Sequence, residues 1–204
     1  MTERLTMSQV STTTSSPRRR VTMTWVVWIT AVIAYGFAVM QRTSLGVMGL
    51  TAAAHFNAPA SVVATFMVLQ LAVYAVLQIP AGITVDRLGS RVVITAGSIV
   101  MTVGQVVMAL TGSVGGAVLA RVLVGCGDAF IFGAAIRLVP AWFPPKQTPL
   151  VTQLTGLLGQ FGQVVSAVGL VAMVNSSGWR STYLLAAGGA AVAAGLGFLL
   201  IRSG

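Results

Sequence analysis

Apolar residues fall into six long runs divided by short polar breaks, at about 24–50, 61–81, 92–111, 115–139, 149–173 and 181–201. A helix needs roughly 20 largely apolar residues to cross the hydrocarbon core of a bilayer. Each run therefore predicts one transmembrane helix, and 24–202 reads as a single six-helix domain. Ahead of it, residues 1–23 are polar, rich in Ser and Thr, and carry Arg18, Arg19 and Arg20. This stretch reads as a disordered basic cytoplasmic tail. A signal peptide is the competing reading, but the first apolar run is longer than a signal core and five more runs follow.

The breaks set the orientation. With the tail inside, the breaks at 82–91, 140–148 and 202–204 are inside too. They hold Arg87, Arg91, Lys146 and Arg202, with Arg137 at the inner end of the fourth run and Arg4 in the tail. The outer breaks at 51–60, 112–114 and 174–180 hold only Arg180. Basic residues concentrate on the cytoplasmic side of membrane proteins, so both termini are expected in the cytoplasm of a multi-pass protein of the cell membrane.

Composition agrees. Only 7% of the 204 residues are charged and 56% are hydrophobic, with a mean hydropathy of +0.91. A soluble domain carries about a quarter of its residues as Asp, Glu, Lys and Arg; a chain with so few cannot cover a water-facing surface. The net charge of +9 would suggest nucleic acid in a soluble chain, but here the charges sit at helix ends, and no nucleic-acid partner is expected. One Cys, one His and three acids supply no catalytic triad, paired-carboxylate site or zinc site. Neither an enzyme nor a cofactor is expected.

The most informative break is Gly82-Ile-Thr-Val-Asp86-Arg87-Leu-Gly89-Ser-Arg91. A link this tight uses Gly89 for a backbone conformation that other residues resist. Asp86 can pair with nearby bases, and Arg87 and Arg91 hold the link at the cytoplasmic face. The segment resembles the G-x-x-x-D-R/K-x-G-x-R/K signature of the major facilitator superfamily. Two further stretches are similar to that family: Arg121-Val-Leu-Val-Gly125-Cys-Gly127 to its fourth-helix pattern, and Gly178-Trp179-Arg180 with Tyr183 to the opening of its sixth helix.

The resemblance implies a secondary active transporter of alternating-access type, in which Asp86 and its basic neighbours form a cytoplasmic gate latch, with Arg137 as a partner for Asp86. It also implies two inverted three-helix repeats. Arg42-x-x-x-Gly46 and Arg121-x-x-x-Gly125 offer weak internal support for that symmetry. Family members have twelve spans, so six read as an amino-terminal half, active with a second six-helix half supplied by a homodimer or a separate chain. A truncated or split-gene remnant without transport activity is the alternative. A proton-coupled antiporter of a non-anionic compound is another, although the fifth run, with Gly156, Gly159 and Gly162, lacks the proline of the family's antiporter pattern.

Charges inside the runs need a reason, since each costs roughly 2.5–3.5 kcal/mol at the bilayer centre on insertion scales. Away from the run ends there are three: Arg42, Arg121 and Asp128. In anion-carrying members of the family an arginine of the first helix contacts substrate, and Arg42 resembles it. A guanidinium suits a carboxylate, phosphate or nitrate; the competing reading is that Arg42 snorkels outward. Tyr35, seven residues earlier, shares its face. Arg121 resembles the family arginine tied to proton transfer and is also a candidate substrate contact. Asp128, the only acid within a run, is the candidate proton-coupling site, or else a carboxylate neutralised by an arginine. Arg121 and Asp128, seven residues apart, share a helix face about 10 Å apart along the axis. His55, in an outer break, reads as a solvated loop residue. The expected cargo is a small anionic solute, with protons as candidate co-substrate.

Overall fold

The computed structural model describes residues 17–201, and every regular element among them is helical. Residues 1–16, most of the expected tail, lie outside the described residues. In order come α1 (Pro17–Val47), α2 (Gly49–His55), α3 (Ala60–Leu110), α4 (Val114–Trp142), α5 (Thr148–Val165), a π-helical turn (Ser166–Leu170) and α6 (Val171–Leu200). Four helical stretches are long and apolar enough to cross a membrane, and two of them run for 51 and 53 residues.

At about 1.5 Å per residue, 51 residues would reach well over twice the roughly 30 Å hydrocarbon thickness. The chain avoids this at Gly89, the one residue of α3 with non-helical dihedrals (φ 78°, ψ 157°). Contacts with α4 show the reversal. On the first limb, α3a (60–88), Gln70 lies at Gly125 and Ala81 at Gly133; on the second, α3b (90–110), Gly104 lies at Ala120 and Gly97 at Gly127. The two limbs therefore run in opposite directions along α4. Gly178 (φ 79°, ψ 174°) does the same for the second long stretch. Before it, α5 runs parallel to α1, with Trp28 at Thr155 and Gly36 at Gly162. After it, α6b (179–200) runs antiparallel to α1, with Tyr183 meeting Ser44 at Arg121 and Gly189 at Phe37.

The links at 82–91 and 174–180, expected as breaks, are thus helical up to a single glycine. Continuing the helix satisfies backbone groups that would otherwise be exposed near the bilayer. At its C-terminal end, α1 stops at Val47, and α2 takes up the start of the expected 51–60 break.

The dihedrals of Gly89 fall in a region essentially confined to glycine, where other residues pay about 1–3 kcal/mol. Gly89→Ala is expected to lower the unfolding temperature of the purified protein clearly. Gly188, helical and with open space where a Cβ would sit, gives the contrast: Gly188→Ala should be neutral or stabilising. Equal melting of the two variants would contradict the hairpin role of Gly89.

The surface is apolar and the interior partly polar, the reverse of a water-soluble bundle. Val76, Ile79, Leu157, Phe161 and Leu199 are exposed, whereas Gln41, Ser44, Gln70, Gln105, Arg121 and Asp128 are buried. Small residues let the helices close on one another, as packing in lipid favours. A Cβ on Gly97 would sit 2.9 Å from the Gly127 carbonyl oxygen, and one on Gly125 2.6 Å from that of Gln70. These contacts press both limbs of α3 onto α4 and set the level at which polar side chains from α1, α3a and α4 meet.

Candidate functional site

Arg42 and Asp128 meet across the α1–α4 interface. Arg42 Nη1 donates to Asp128 Oδ2 at 3.1 Å. The two members are not equally placed: the Asp128 side chain is fully buried, while that of Arg42 keeps 14% exposure. Arg42 therefore turns inward to a carboxylate instead of snorkelling to the interface. Its guanidinium also lies over the Tyr74 ring, 5.4 Å from the centroid. Asp128 Oδ1, on the other side of the carboxylate, is buried without a hydrogen-bond partner.

Arg121 takes another route. Although it shares a helix face with Asp128, it bonds to other residues and is fully buried. Its Nη1 donates to the Gln41 carbonyl (3.4 Å), Ser44 Oγ (3.3 Å) and Gln70 Oε1 (3.4 Å), and its Nη2 to Tyr183 Oη (3.4 Å). These acceptors are all neutral, and Nε has none. Gln70 joins the two arginines, since its Nε2 donates to the Arg42 carbonyl at 3.2 Å.

A cleft of about 780 Å³ opens beside this network. Its polar wall consists of Arg42, Thr43, Gln70, Gln160 and Gln163; its apolar wall includes Val47, Met67, Leu71 and Val164. Of the three intramembrane charges, only Arg42 reaches it. Tyr35 is buried beneath it, and its hydroxyl accepts from Gln160 Nε2 at 3.3 Å. Gln163 Nε2 in turn donates to Gln160 Oε1 at 2.6 Å. The cleft thus offers one cationic contact, several amides and a greasy flank.

At the other end of α4, Arg137 Nη1 pairs with Asp86 Oδ1. Gly82 leaves room for that arginine: a Cβ there would stand 3.4 Å from Arg137 Nη2. Arg91 lies over the Phe198 ring at 4.5 Å, tying α3b to α6b, while Arg87 is exposed. The group Gly82, Asp86, Arg87, Gly89, Arg91 and Arg137 therefore clusters around the α3 reversal, far along α4 from Arg42.

His55 is exposed but not idle. Its ring stacks on Trp179 (4.5 Å, 13°) and its Nε2 lies 3.1 Å from the Thr111 carbonyl. It joins α2, the end of α3b and the start of α6b, a packing that no local pattern indicates. Ser44, Tyr74 and the Tyr183 contact to Arg121 also escape sequence reasoning. Tyr74 has one faint signal: it stands four residues after Gln70, on the same helix face.

Comparison with known proteins places this geometry in context. The family model described as "Major Facilitator Superfamily" matches residues 27–203. The chain is 25% identical over 175 residues to the "Probable L-galactonate transporter" of Escherichia coli (strain K12), covering 86% of this chain and 38% of that protein. It is 26% identical over 112 residues to a "Probable sulfoacetate transporter" of Cupriavidus necator, covering 55% of this chain and 26% of that one. Among solved structures, a bacterial homolog to the human lysosomal transporter Spinster, inward-facing and occupied, superposes with a TM-score of 0.68 at 18% identity. That match covers 93% of this chain and 46% of that one. The chain thus spans less than half the length of each.

Proposed function

The chain belongs to the major facilitator superfamily, and from that premise we propose that it forms the amino-terminal six-helix half of a transporter for a small organic anion. In this reading α1, α3a, α3b, α4, α5 with the start of α6, and α6b are six membrane crossings, arranged as two inverted three-helix repeats with both termini in the cytoplasm. The protein sits in the cell membrane and works by alternating access with a second six-helix half, from another copy or a separate chain. The Asp86–Arg137 pair acts as a cytoplasmic latch, with Gly82, Arg87, Gly89 and Arg91 shaping the reversal that carries it.

One observation carries the anion reading: Arg42 is the single intramembrane charge on the cleft wall, and its counter-ion lies behind it, fully buried. An incoming carboxylate or sulfonate competes with Asp128 for the same guanidinium. A proton on Asp128 removes the competitor and frees Arg42 for the substrate, so anion and proton bind together. Tyr35 and the Gln160–Gln163 amides offer hydrogen bonds to the far end of the solute. Arg121 stays behind the wall, where its charge raises the potential of the site through Gln70 without touching the cargo in this conformation. The relatives' names, an L-galactonate and a sulfoacetate transporter, support a small organic anion as cargo.

The test is ligand-dependent stabilisation of the purified protein. L-Galactonate or sulfoacetate should raise the unfolding temperature with the logarithm of its concentration once the site begins to fill, and uncharged galactose should not. Equal shifts with galactose, or none with either anion, would remove the anion assignment.

A further inference from the structure

Arg42 has partners besides Asp128 and the Tyr35 hydroxyl of its own helix. They come from α3a, which presents Gln70 and Tyr74 one helical turn apart. Tyr74 places its ring 5.4 Å from the Arg42 guanidinium carbon. Gln70 donates Nε2 to the Arg42 backbone carbonyl at 3.2 Å and accepts Arg121 Nη1 on Oε1 at 3.4 Å.

The chemistry of Gln70 leaves no freedom. A carbonyl only accepts and a guanidinium only donates, so one orientation of the amide satisfies both neighbours and the flipped one satisfies neither. Glu would keep the Arg121 contact and lose the donor to Arg42; Met would lose both. The backbone of Gln70 is equally fixed, because a Cβ on Gly125 would sit 2.6 Å from its carbonyl oxygen. Residue 70 is buried, 2% exposed, yet it forms part of the cleft wall.

We propose that Gln70 and Tyr74 act as a positioning clamp: together they aim Arg42 at the cleft and tie its setting to that of Arg121 and to the position of α3a. The proposal rests on the reading of Arg42 as the anion contact. Asp128 pulls the guanidinium back into the protein, and the Tyr74 ring holds one of its faces, so the guanidinium stays beside the cleft when Asp128 releases it. Any movement of α3a against α1 and α4 breaks the Gln70 bonds and the Tyr74 contact at once. The arginine is then competent only while α3a is seated. The clamp thus links the binding state of the cleft to the same helix whose far end carries Asp86.

The test uses the purified full protein and measures the dissociation constants of L-galactonate and sulfoacetate, with the ligand-free unfolding temperature beside them. Tyr74→Phe keeps the ring and loses only the hydroxyl contact to Arg42, so it should weaken binding less than Tyr74→Leu. Tyr74→Leu should raise the dissociation constant about 3- to 30-fold, the range of a cation–π contact between partly exposed and desolvated settings. Gln70→Met and Gln70→Glu should both weaken binding about tenfold, because each loses the donor to the Arg42 carbonyl. Matched ligand-free unfolding of Tyr74→Phe and Tyr74→Leu would show that the difference is one of aim and not of folding. Arg42→Ala separates the two claims. Loss of binding in Arg42→Ala with wild-type affinity in Tyr74→Leu and Gln70→Met would overturn the clamp and leave the anion contact standing. Unchanged binding in Arg42→Ala would overturn both.

Discussion

Arg42→Ala should reduce anion uptake about a hundredfold or more. Truncating one partner of a hydrogen-bonded charge pair that is taken out of water costs about 2–5 kcal/mol, and every 1.4 kcal/mol is a factor of ten. The loss should appear against anions specifically, since the remaining cleft wall supplies amides and apolar surface but no second cation. Arg42→Lys should recover little: a compact ammonium cannot serve the Asp128 carboxylate, the Tyr74 face and a planar oxyanion together. The variant also leaves Asp128 buried without its counter-ion, which by itself destabilises by about 3–5 kcal/mol. The double variant Arg42→Ala/Asp128→Asn removes that strain. If uptake fails in the single variant because the protein misfolds, the double variant should restore folding and membrane abundance without restoring uptake. Quantitative uptake of L-galactonate or sulfoacetate, normalised to protein in the membrane, decides the point, and transport by the double variant would refute the Arg42 contact.

Asp128→Asn should have the second-largest effect, in a different direction. The Arg42 guanidinium loses a charged competitor and keeps a neutral acceptor. A hydrogen bond to a charged group contributes about 1.5–3 kcal/mol against about 1 for a neutral one, so anion affinity should rise by roughly tenfold. Exchange of labelled for unlabelled anion should persist, because it needs only binding and reorientation. Net accumulation driven by a proton gradient should vanish, because in this reading Asp128 is the proton site and its replacement cannot carry a proton. A variant that still accumulates anion uphill would move the coupling site elsewhere.

How much of this could be read from the chain alone differs from residue to residue, and the reason is physical. The Gly82–Arg91 link was legible because a reversal this tight forces glycine and brings charges to the membrane edge, so its spacing reflects its geometry. The charges at 42, 121 and 128 stood out because charge in an apolar run is costly wherever it points. Their partners were not legible. Periodicity put Arg121 and Asp128 on one face of α4, yet α1 crosses that face so that Arg42 meets the latter while Ser44 and the Gln41 carbonyl meet the former. Tyr74 looked like any aromatic in a lipid-facing run, and only the seating of α3a on α4 through Gly125 gives it a role. His55 shows the same limit: its stacking on Trp179 links residues over a hundred positions apart. Helix ends were blurred for a further reason, since the helices continue to single glycines at 89 and 178 where polar residues suggested wider breaks.

Competition between the anion and Asp128 for one guanidinium is tested most directly by counting protons. Calorimetric titration of the purified protein with sulfoacetate, in buffers of different ionisation enthalpy, gives the protons taken up per anion bound. Wild type should take up a proton, approaching one per anion, as Asp128 gives up Arg42 and is neutralised. Asp128→Asn should bind the same anion with no uptake. Binding without proton uptake in wild type, or identical uptake in the variant, would contradict the shared use of Arg42.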